Sequence, residues 1–172
     1  MYKNSRKVKL KAGLEFELLD ILIPSIQETI EKDGDILCRG RSERLFASRL
    51  SFVLDSKIRS LLKENASLRV DSPYNKHGKE PKKLEGYVIE VDIAIHERGN
   101  DENNLLVIEI ETSNIPKGDD IWKLKEITKQ NEAGGYCYQF GLYLVLGILD
   151  KAGIILDERW FKDGVEIGGK FL

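Results

Sequence analysis

Two short apolar segments that contain carboxylates place the strongest limits on how this chain folds. They are Val91–His96, which contains Asp92, and Asn103–Glu111, which contains Glu109 and Glu111. Both have the length of a strand, and their carboxylates would be costly to bury without a compensating partner. The polar, turn-rich stretch between them predicts a hairpin in which the two strands pair antiparallel and Asp92 faces Glu109.

The acidic residues of these strands are expected to converge. Side chains alternate across a strand, so Glu109 and Glu111 share one face, with Asp92 beside them. Three converging carboxylates repel each other unless a divalent cation with hard oxygen ligands neutralises them. The pattern therefore predicts a metal site, the alternative being a solvated sheet face with lysine or arginine partners. Glu43, in the first turn of a predicted helix, either favours the helix dipole or adds another carboxylate to the site.

Length and composition indicate one ordinary globular domain. The 172 residues, 41% hydrophobic and 33% charged, suffice for a sizeable core in a single domain over residues 1–172. The formal net charge of −2 excludes a uniformly basic coat for nucleic acid, but not a local basic groove. Cys38 and Cys137 have no nearby cysteine, which favours reduced thiols and a cytoplasmic location. We find no signal-peptide pattern, and the longest apolar run, Phe140–Leu149, is too short for a membrane span.

The periodicity of apolar residues predicts the order of the elements. Helices are expected over residues 14–32, from Ser42 onward, and from Asp119 or Asp120 to Glu132. Strands are expected over residues 67–70, 86–97, 104–112 and 136–149, then a hairpin of residues 153–161 and 165–171 that turns at Lys162-Asp163-Gly164. This order predicts an α/β or α+β domain with a mixed central sheet flanked by helices.

Basic residues cluster in three places. Residues 1–13 are predicted to form a basic N-terminal arm or a short edge strand, and their basic side chains belong either to a solvated tail or to an arm that touches nucleic acid. The arginines near the start of the second helix either solvate it or hold a phosphate backbone; they are Arg39, Arg41, Arg44 and Arg49. The same two interpretations apply to the lysines of the loop after Asn75, which are Lys76, Lys79, Lys82 and Lys83.

The arrangement of the acids resembles that of the PD-(D/E)xK nucleases. These have an Asp at the start of one strand and (Asp/Glu)-x-Lys in the adjoining strand, on a restriction-endonuclease-like core of helix, three antiparallel strands, helix and strand. Asp92 matches the first acid, Glu109 matches the second, and Glu111 stands at the lysine position. The resemblance covers residues 43–148, with segments similar to small bacterial members at His96–Gly99, at Asn104–Glu109, and at Asp119/Asp120 with Lys123-Leu124.

The sequence departs from the family pattern at three positions. Val91 stands where a proline is frequent, and Pro73 stands where small members often have a Glu. Glu111 replaces the motif lysine, and a minority of type II restriction endonucleases carry Glu-x-Glu here and remain active. The missing positive charge would come from elsewhere. Lys123 on the following helix is a better candidate than Lys117 in the loop, because a helix fixes the position of its side chains.

The resemblance implies Mg²⁺-dependent hydrolysis of phosphodiester bonds in nucleic acid, with Mn²⁺ as a substitute, and most simply a DNA endonuclease. The implied catalytic residues are Asp92, Glu109, Glu111 and Lys123, and the implied metal ligands are Asp92, Glu109, Glu111 and Glu43. The residues expected to bind nucleic acid are Arg41, Arg44, Lys76, Lys79, Lys82 and Lys83. A homodimer would be the simplest way to cut both strands. The alternatives are a protein of the same fold that binds nucleic acid or a partner without catalysis, and a structural or regulatory subunit.

Overall fold

The computed structural model describes residues 5–10, 13–40, 43–62, 67–77, 80–84, 86–99, 101–130 and 136–168, with only the backbone at residues 76, 77 and 80. The helices are α1 (Leu19–Asp33), α2 (Asp35–Cys38), α3 (Glu43–Leu62) and α4 (Ile121–Thr128). The strands are β1 (Lys7–Lys9), β2 (Glu15–Glu17), β3 (Leu68–Asp71), β4 (Lys76–His77), β5 (Glu80–Pro81), β6 (Lys83–Leu84), β7 (Tyr87–Val88), β8 (Ile93–Glu97), β9 (Leu106–Thr112), β10 (Phe140–Leu146), β11 (Ile155–Lys162) and β12 (Val165–Ile167). None of the helices in the described ranges combines the length and apolar character needed to cross a membrane.

Six strands form the central sheet, in the order β12-β11-β10-β9-β8-β3. The strand β8 pairs antiparallel with both β3 and β9, whereas β10 lies parallel to β9. Parallel neighbours require a crossover connection, and α4 lies in the segment that makes this crossover. The prediction of an α+β domain with a mixed central sheet is therefore confirmed.

The alternation of side chains along β8 and β9 divides the core into two layers. On one face of the sheet, Ile93 of β8 and Ile108 of β9 belong to a buried cluster with residues of α1 and α3. On the other face, Ala94 and Val107 belong to a second cluster with Leu124 of α4. Helices therefore flank the sheet on both faces, as the sequence predicts.

The N-terminal segment packs on the sheet where it is described. The strand β1 pairs antiparallel with β2, and the Arg6 side chain is buried. Its guanidinium lies 5.1 Å from the ring centroid of Trp160 and donates a hydrogen bond to the carbonyl oxygen of Gly168 at 2.9 Å. The prediction of a short strand is therefore confirmed at residues 7–9, and residues 5–10 are not a free arm, because a buried cation and a strand pairing fasten them to the domain. The rest of the predicted arm, residues 1–4, 11 and 12, lies outside the described residues.

Several predicted elements are shorter in the structure. The first helix begins at Leu19 rather than at residue 14, because the preceding residues form β2. The strand predicted over residues 86–97 is reduced to β8, because β7 pairs with β6 in a separate hairpin. The turn between β11 and β12 is where the sequence places it: Asp163 and Gly164 have φ angles of 51° and 80°, the positive values that a tight hairpin turn requires.

Candidate functional site

Asp92 and Glu109 lie side by side on the α4 face of the sheet. Ile93 stands opposite Ile108 in the antiparallel register, and one further residue brings Asp92 opposite Glu109. The Asp92 Oδ2 atom accepts a hydrogen bond from the backbone N–H of Ile110 at 2.7 Å, and the carboxyl groups of Asp92 and Glu109 share a hydrogen bond. The antiparallel hairpin that the sequence predicts therefore brings these two acids together.

Lys123, in the first turn of α4, reaches this acid pair from the side. Its Nζ atom lies 2.8 Å from Glu109 Oε1 and 2.7 Å from Asp120 Oδ1, and it donates a hydrogen bond to the carbonyl oxygen of Glu90 at 3.1 Å. The Lys123 side chain is only 14% exposed. Three oxygen partners in fixed positions hold the ammonium group next to the Glu109 carboxyl group.

Burial changes the protonation of this cluster. Burial raises the pKa of Glu109 well above the usual value. The positive charge of Lys123 opposes this rise, and repulsion from Asp92 adds to it. Burial also raises the pKa of Asp92, although the N–H of Ile110 opposes it. For Lys123, burial would lower the pKa, but Glu109 and Asp120 outweigh it and raise the pKa. Because Glu109 and Asp120 both contact it, Lys123 favours its charged form despite burial, whereas burial favours protonation of the Asp92 and Glu109 carboxyl groups.

Glu43, at the start of α3, approaches the same region from the opposite face of the sheet. Its Oε2 atom accepts a hydrogen bond from the backbone N–H of Thr112 at 3.4 Å. Burial raises the pKa of Glu43, and repulsion from Asp92, Asp120 and Glu111 adds to this rise. Glu43 is therefore close enough to Asp92 for repulsion between the two carboxylates to raise its pKa.

Glu111 is bound to a loop and to a buried tyrosine. Its Oε1 atom accepts a hydrogen bond from the backbone N–H of Lys117 at 3.1 Å, and its Oε2 atom accepts one from the Tyr143 hydroxyl group. The same hydroxyl oxygen accepts a hydrogen bond from the N–H of Gly118 at 3.0 Å. The sequence did not predict a role for Tyr143, because its position inside an apolar strand indicates only a core residue. These contacts direct the Glu111 carboxylate toward the loop before α4.

The acid pair has donors that fit a divalent cation. In the part of the chain that the structure describes, no group of three His, Cys, Asp or Glu side chains is placed to hold a metal ion. The Glu109 Oε1 atom is buried, with the Lys123 ammonium group 2.8 Å away. Carboxylate oxygens are the ligands that Mg²⁺ prefers. Asp92 and Glu109 are therefore the residues that could hold a metal ion.

The structure leaves only part of the predicted nucleic-acid surface exposed. Arg44 is exposed and forms an ion pair with Glu90 at 3.3 Å, and Lys83 is also exposed. Lys82 is 1% exposed, so its ammonium group is not available to a phosphate backbone in this conformation. Three further residues of this prediction cannot be placed, since Arg41, Lys79 and the Lys76 side chain lie outside the described residues.

Lys82 is enclosed by tyrosine rings. Its Nζ atom lies 4.2 Å from the ring centroid of Tyr136, 5.1 Å from that of Tyr138 and 5.3 Å from that of Tyr74. Burial lowers the pKa of Lys82 to about 8. Sequence analysis did not find this tyrosine cage (Tyr74, Tyr136 and Tyr138), because its rings come from segments far apart in the chain and only the fold brings them together.

Comparison of the chain with family models, with curated proteins and with solved structures finds no match. The functional interpretation therefore rests on the chemistry of the site: the partly buried carboxyl group of Asp92 and the buried one of Glu109 are hydrogen-bonded to each other, and Lys123 is held against Glu109.

Proposed function

We propose that this chain is a metal-dependent nuclease that hydrolyses phosphodiester bonds in nucleic acid, most simply a DNA endonuclease of the PD-(D/E)xK type. The observation that carries the proposal is the position of Lys123, whose Nζ atom lies 2.8 Å from Glu109 Oε1. A lysine from the following helix thus supplies the charge that the motif lysine would supply at residue 111. The order of α3, β3, β8, β9, α4 and β10 along the chain also agrees with the core of that family.

In this proposal Asp92 and Glu109 bind the catalytic cation through their carboxylate oxygens. A bound Mg²⁺ ion would polarise the phosphoryl oxygen and lower the pKa of a water ligand. Both carboxyl groups must be ionised to serve as ligands, so a cation would compete with the protonation that burial favours. The N–H of Ile110 prepares Asp92 for this role, because a hydrogen bond to Oδ2 favours the ionised form.

Lys123 would stabilise the negative charge that develops on the phosphoryl group. Its ammonium group is already held by Glu109, Asp120 and the Glu90 carbonyl oxygen, so little reorganisation is needed during the reaction. Glu111 would act indirectly in this arrangement. Its bonds to Lys117 N–H and Tyr143 fix the loop that leads into α4, and α4 carries Lys123.

A plasmid-nicking assay with Mg²⁺ or Mn²⁺ tests the proposal. The unmodified protein should convert supercoiled DNA to nicked or linear forms, while Asp92→Asn and Lys123→Ala should be inactive or strongly impaired. Lys32→Ala is the control, because Lys32 is an exposed lysine of α1, which packs on the other face of the sheet. The absence of metal-dependent cleavage of DNA and of RNA by the unmodified protein would reject the proposal.

A second candidate is a binding protein of the same fold without catalysis. The observation that favours it is that Lys123 already neutralises Glu109, while Glu111 is bonded to the loop and to Tyr143. Carboxylates that already have a lysine or hydrogen-bond donors as partners need no metal cation for stability. Thermal unfolding separates the candidates, since a nuclease site should be stabilised by Mn²⁺ and a neutralised relic should not.

A further inference from the structure

Large apolar side chains are exposed on three segments that also carry residues in contact with the site. Tyr87 is 73% exposed, Val88 58%, Ile115 76% and Trp122 45%. We call these four residues the apolar rim. Single exposed apolar side chains are common on protein surfaces and need no explanation. Several of them on segments that meet at one polar site indicate a ligand with apolar faces.

Contacts of the site connect each segment of the rim to the acid pair. Trp122 directly precedes Lys123, which contacts Glu109. Tyr87 lies in the hairpin that leads to Glu90, and the carbonyl oxygen of Glu90 accepts the hydrogen bond from Lys123. On the third segment, Ile115 belongs to the loop that Glu111 holds through the N–H of Lys117. The rim therefore lies on the same segments that position the acids and the lysine.

Exposed lysines accompany the rim on these segments, beside the exposed carboxylates of Glu90 and Asp119. Lys117 lies two residues from Ile115, Lys125 follows Trp122 by one helical turn, and Lys83 belongs to the strand paired with β7; all three are exposed. Aromatic rings interleaved with lysines match a ligand that alternates flat apolar groups with phosphates. Nucleic acid has this composition, and its bases offer their faces to a protein only where they are unpaired and unstacked.

We propose that the apolar rim binds unpaired bases, so that the substrate of this site is single-stranded nucleic acid or an unpaired segment of it. The inference rests on the proposed nuclease function for the chemistry, whereas the binding can be measured without cleavage. Trp122 and Tyr87 would stack on bases, and Lys83, Lys117 and Lys125 would contact the intervening phosphates. An intact duplex would gain nothing from the two rings, because its bases already stack on each other.

Tryptophan fluorescence provides a direct test. The chain has two tryptophans, of which Trp160 is 1% exposed and Trp122 is 45% exposed, so quenching by an added base reports on Trp122. Oligothymidylate, oligouridylate and a duplex of equal length are titrated in EDTA to prevent cleavage. Quenching by at least one single strand, stronger than by the duplex, is the expected result, and the two homopolymers distinguish DNA from RNA.

Variants then assign the binding to the rim. In fluorescence anisotropy with labelled single strands, Trp122→Ala and Tyr87→Ala should each weaken binding about tenfold, the loss typical of one stacked base. Phe52→Ala is the matched control, because Phe52 is 77% exposed on α3, which packs on the other face of the sheet, and it should bind normally. Equal binding of duplex and single strands, no binding of either homopolymer, or unchanged binding by Trp122→Ala would each overturn the inference.

The cleavage and binding experiments together distinguish a failure of the rim proposal from a failure of the nuclease proposal. Cleavage confined to duplex DNA would support the nuclease proposal and would reject the proposal that the apolar rim binds unpaired bases of the substrate. Rim-dependent binding of single strands without metal-dependent cleavage would reject the nuclease proposal and support the rim as a nucleic-acid site. Cleavage of single strands that is lost in Asp92→Asn and weakened at low substrate concentration in Trp122→Ala would support both.

Discussion

The Nζ atom of Lys123 lies 2.8 Å from Oε1 of Glu109, so α4 places a cation against a carboxylate of β9. The Lys123 side chain is 14% exposed and that of Glu109 is 3% exposed. Little water screens the pair, and each group strongly affects the protonation and the position of the other.

Removal of the lysine should weaken both the fold and the proposed reaction. In Lys123→Ala the Glu109 carboxylate would lose its charged neighbour, and we expect a loss of about 1–3 kcal/mol in the free energy of unfolding at neutral pH. The loss should shrink at acidic pH, because a protonated Glu109 does not need the cation. Chemical denaturation at several pH values measures it. Lys125→Ala serves as the control, and equal stability of the two variants at pH 7 would contradict the prediction.

Mn²⁺ should stabilise the protein through Asp92 and Glu109. A cation would relieve the repulsion between two carboxylates in a buried site, so millimolar Mn²⁺ should raise the Tm of the unmodified protein and not that of Asp92→Ala. Because burial raises the pKa of both groups, protons should compete with the metal and the rise in Tm should fade as the pH decreases. Differential scanning fluorimetry measures both effects. Asp119→Asn, at an exposed neighbouring carboxylate, should respond like the unmodified protein, and the same response in Asp92→Ala would count against the site.

Lys82 should make the stability depend on pH in the alkaline range. Burial lowers its pKa to about 8, from 10.5. Between these values the unfolded lysine binds a proton and the folded one does not, so the free energy of unfolding should rise with pH across this window and level off below it. The rise should amount to at most about 3 kcal/mol.

The variant Lys82→Met isolates this contribution. Methionine fills a similar volume without a charge, so the stability of the unmodified protein relative to Lys82→Met should increase between pH 8 and pH 10.5. Chemical denaturation of both proteins at several pH values measures the difference. Lys83→Met, at the exposed neighbouring lysine, should show no such trend, and parallel pH profiles for Lys82→Met and the unmodified protein would refute the expectation.

A lysine at residue 111, as in the PD-(D/E)xK pattern, should be harmful. Glu111 accepts hydrogen bonds from the N–H of Lys117 and from Tyr143, whereas a lysine offers no acceptor to either of them. We expect Glu111→Lys to lower the stability by about 1–3 kcal/mol and Glu111→Gln, which keeps one acceptor oxygen, to lower it less. Thermal unfolding and the plasmid assay measure the two consequences. A stable Glu111→Lys protein that gains metal-dependent nicking would show that Glu111 marks an inactive site and would contradict this assignment.

Local chemistry was sufficient to predict the acid hairpin. The alternation of Ile93, Ala94 and their neighbours determines which side chains share a face, and the turn-rich stretch before β9 favours antiparallel pairing. The position of Asp92 opposite Glu109 follows from these two properties. The turn at Asp163 and Gly164 was predictable for the same reason, because positive φ angles depend on residue type rather than on distant contacts.

The sequence by itself thus determined the mixed α+β architecture and the acid pair, because strand alternation, helical periodicity and turn preference act between near neighbours. The sequence favoured Lys123 over Lys117 as the source of positive charge, but only the tertiary structure decided that Lys123 contacts Glu109, where Glu111 is bonded, and whether Lys82 is exposed. These contacts join residues of different elements: Lys123 with Glu109, Tyr143 with Glu111, and the tyrosine cage with Lys82. The periodicity of a single element does not predict which other element it contacts. The balance between burial and compensating charge depends on the complete packing, so the chemistry of this site emerges only when the chain is folded.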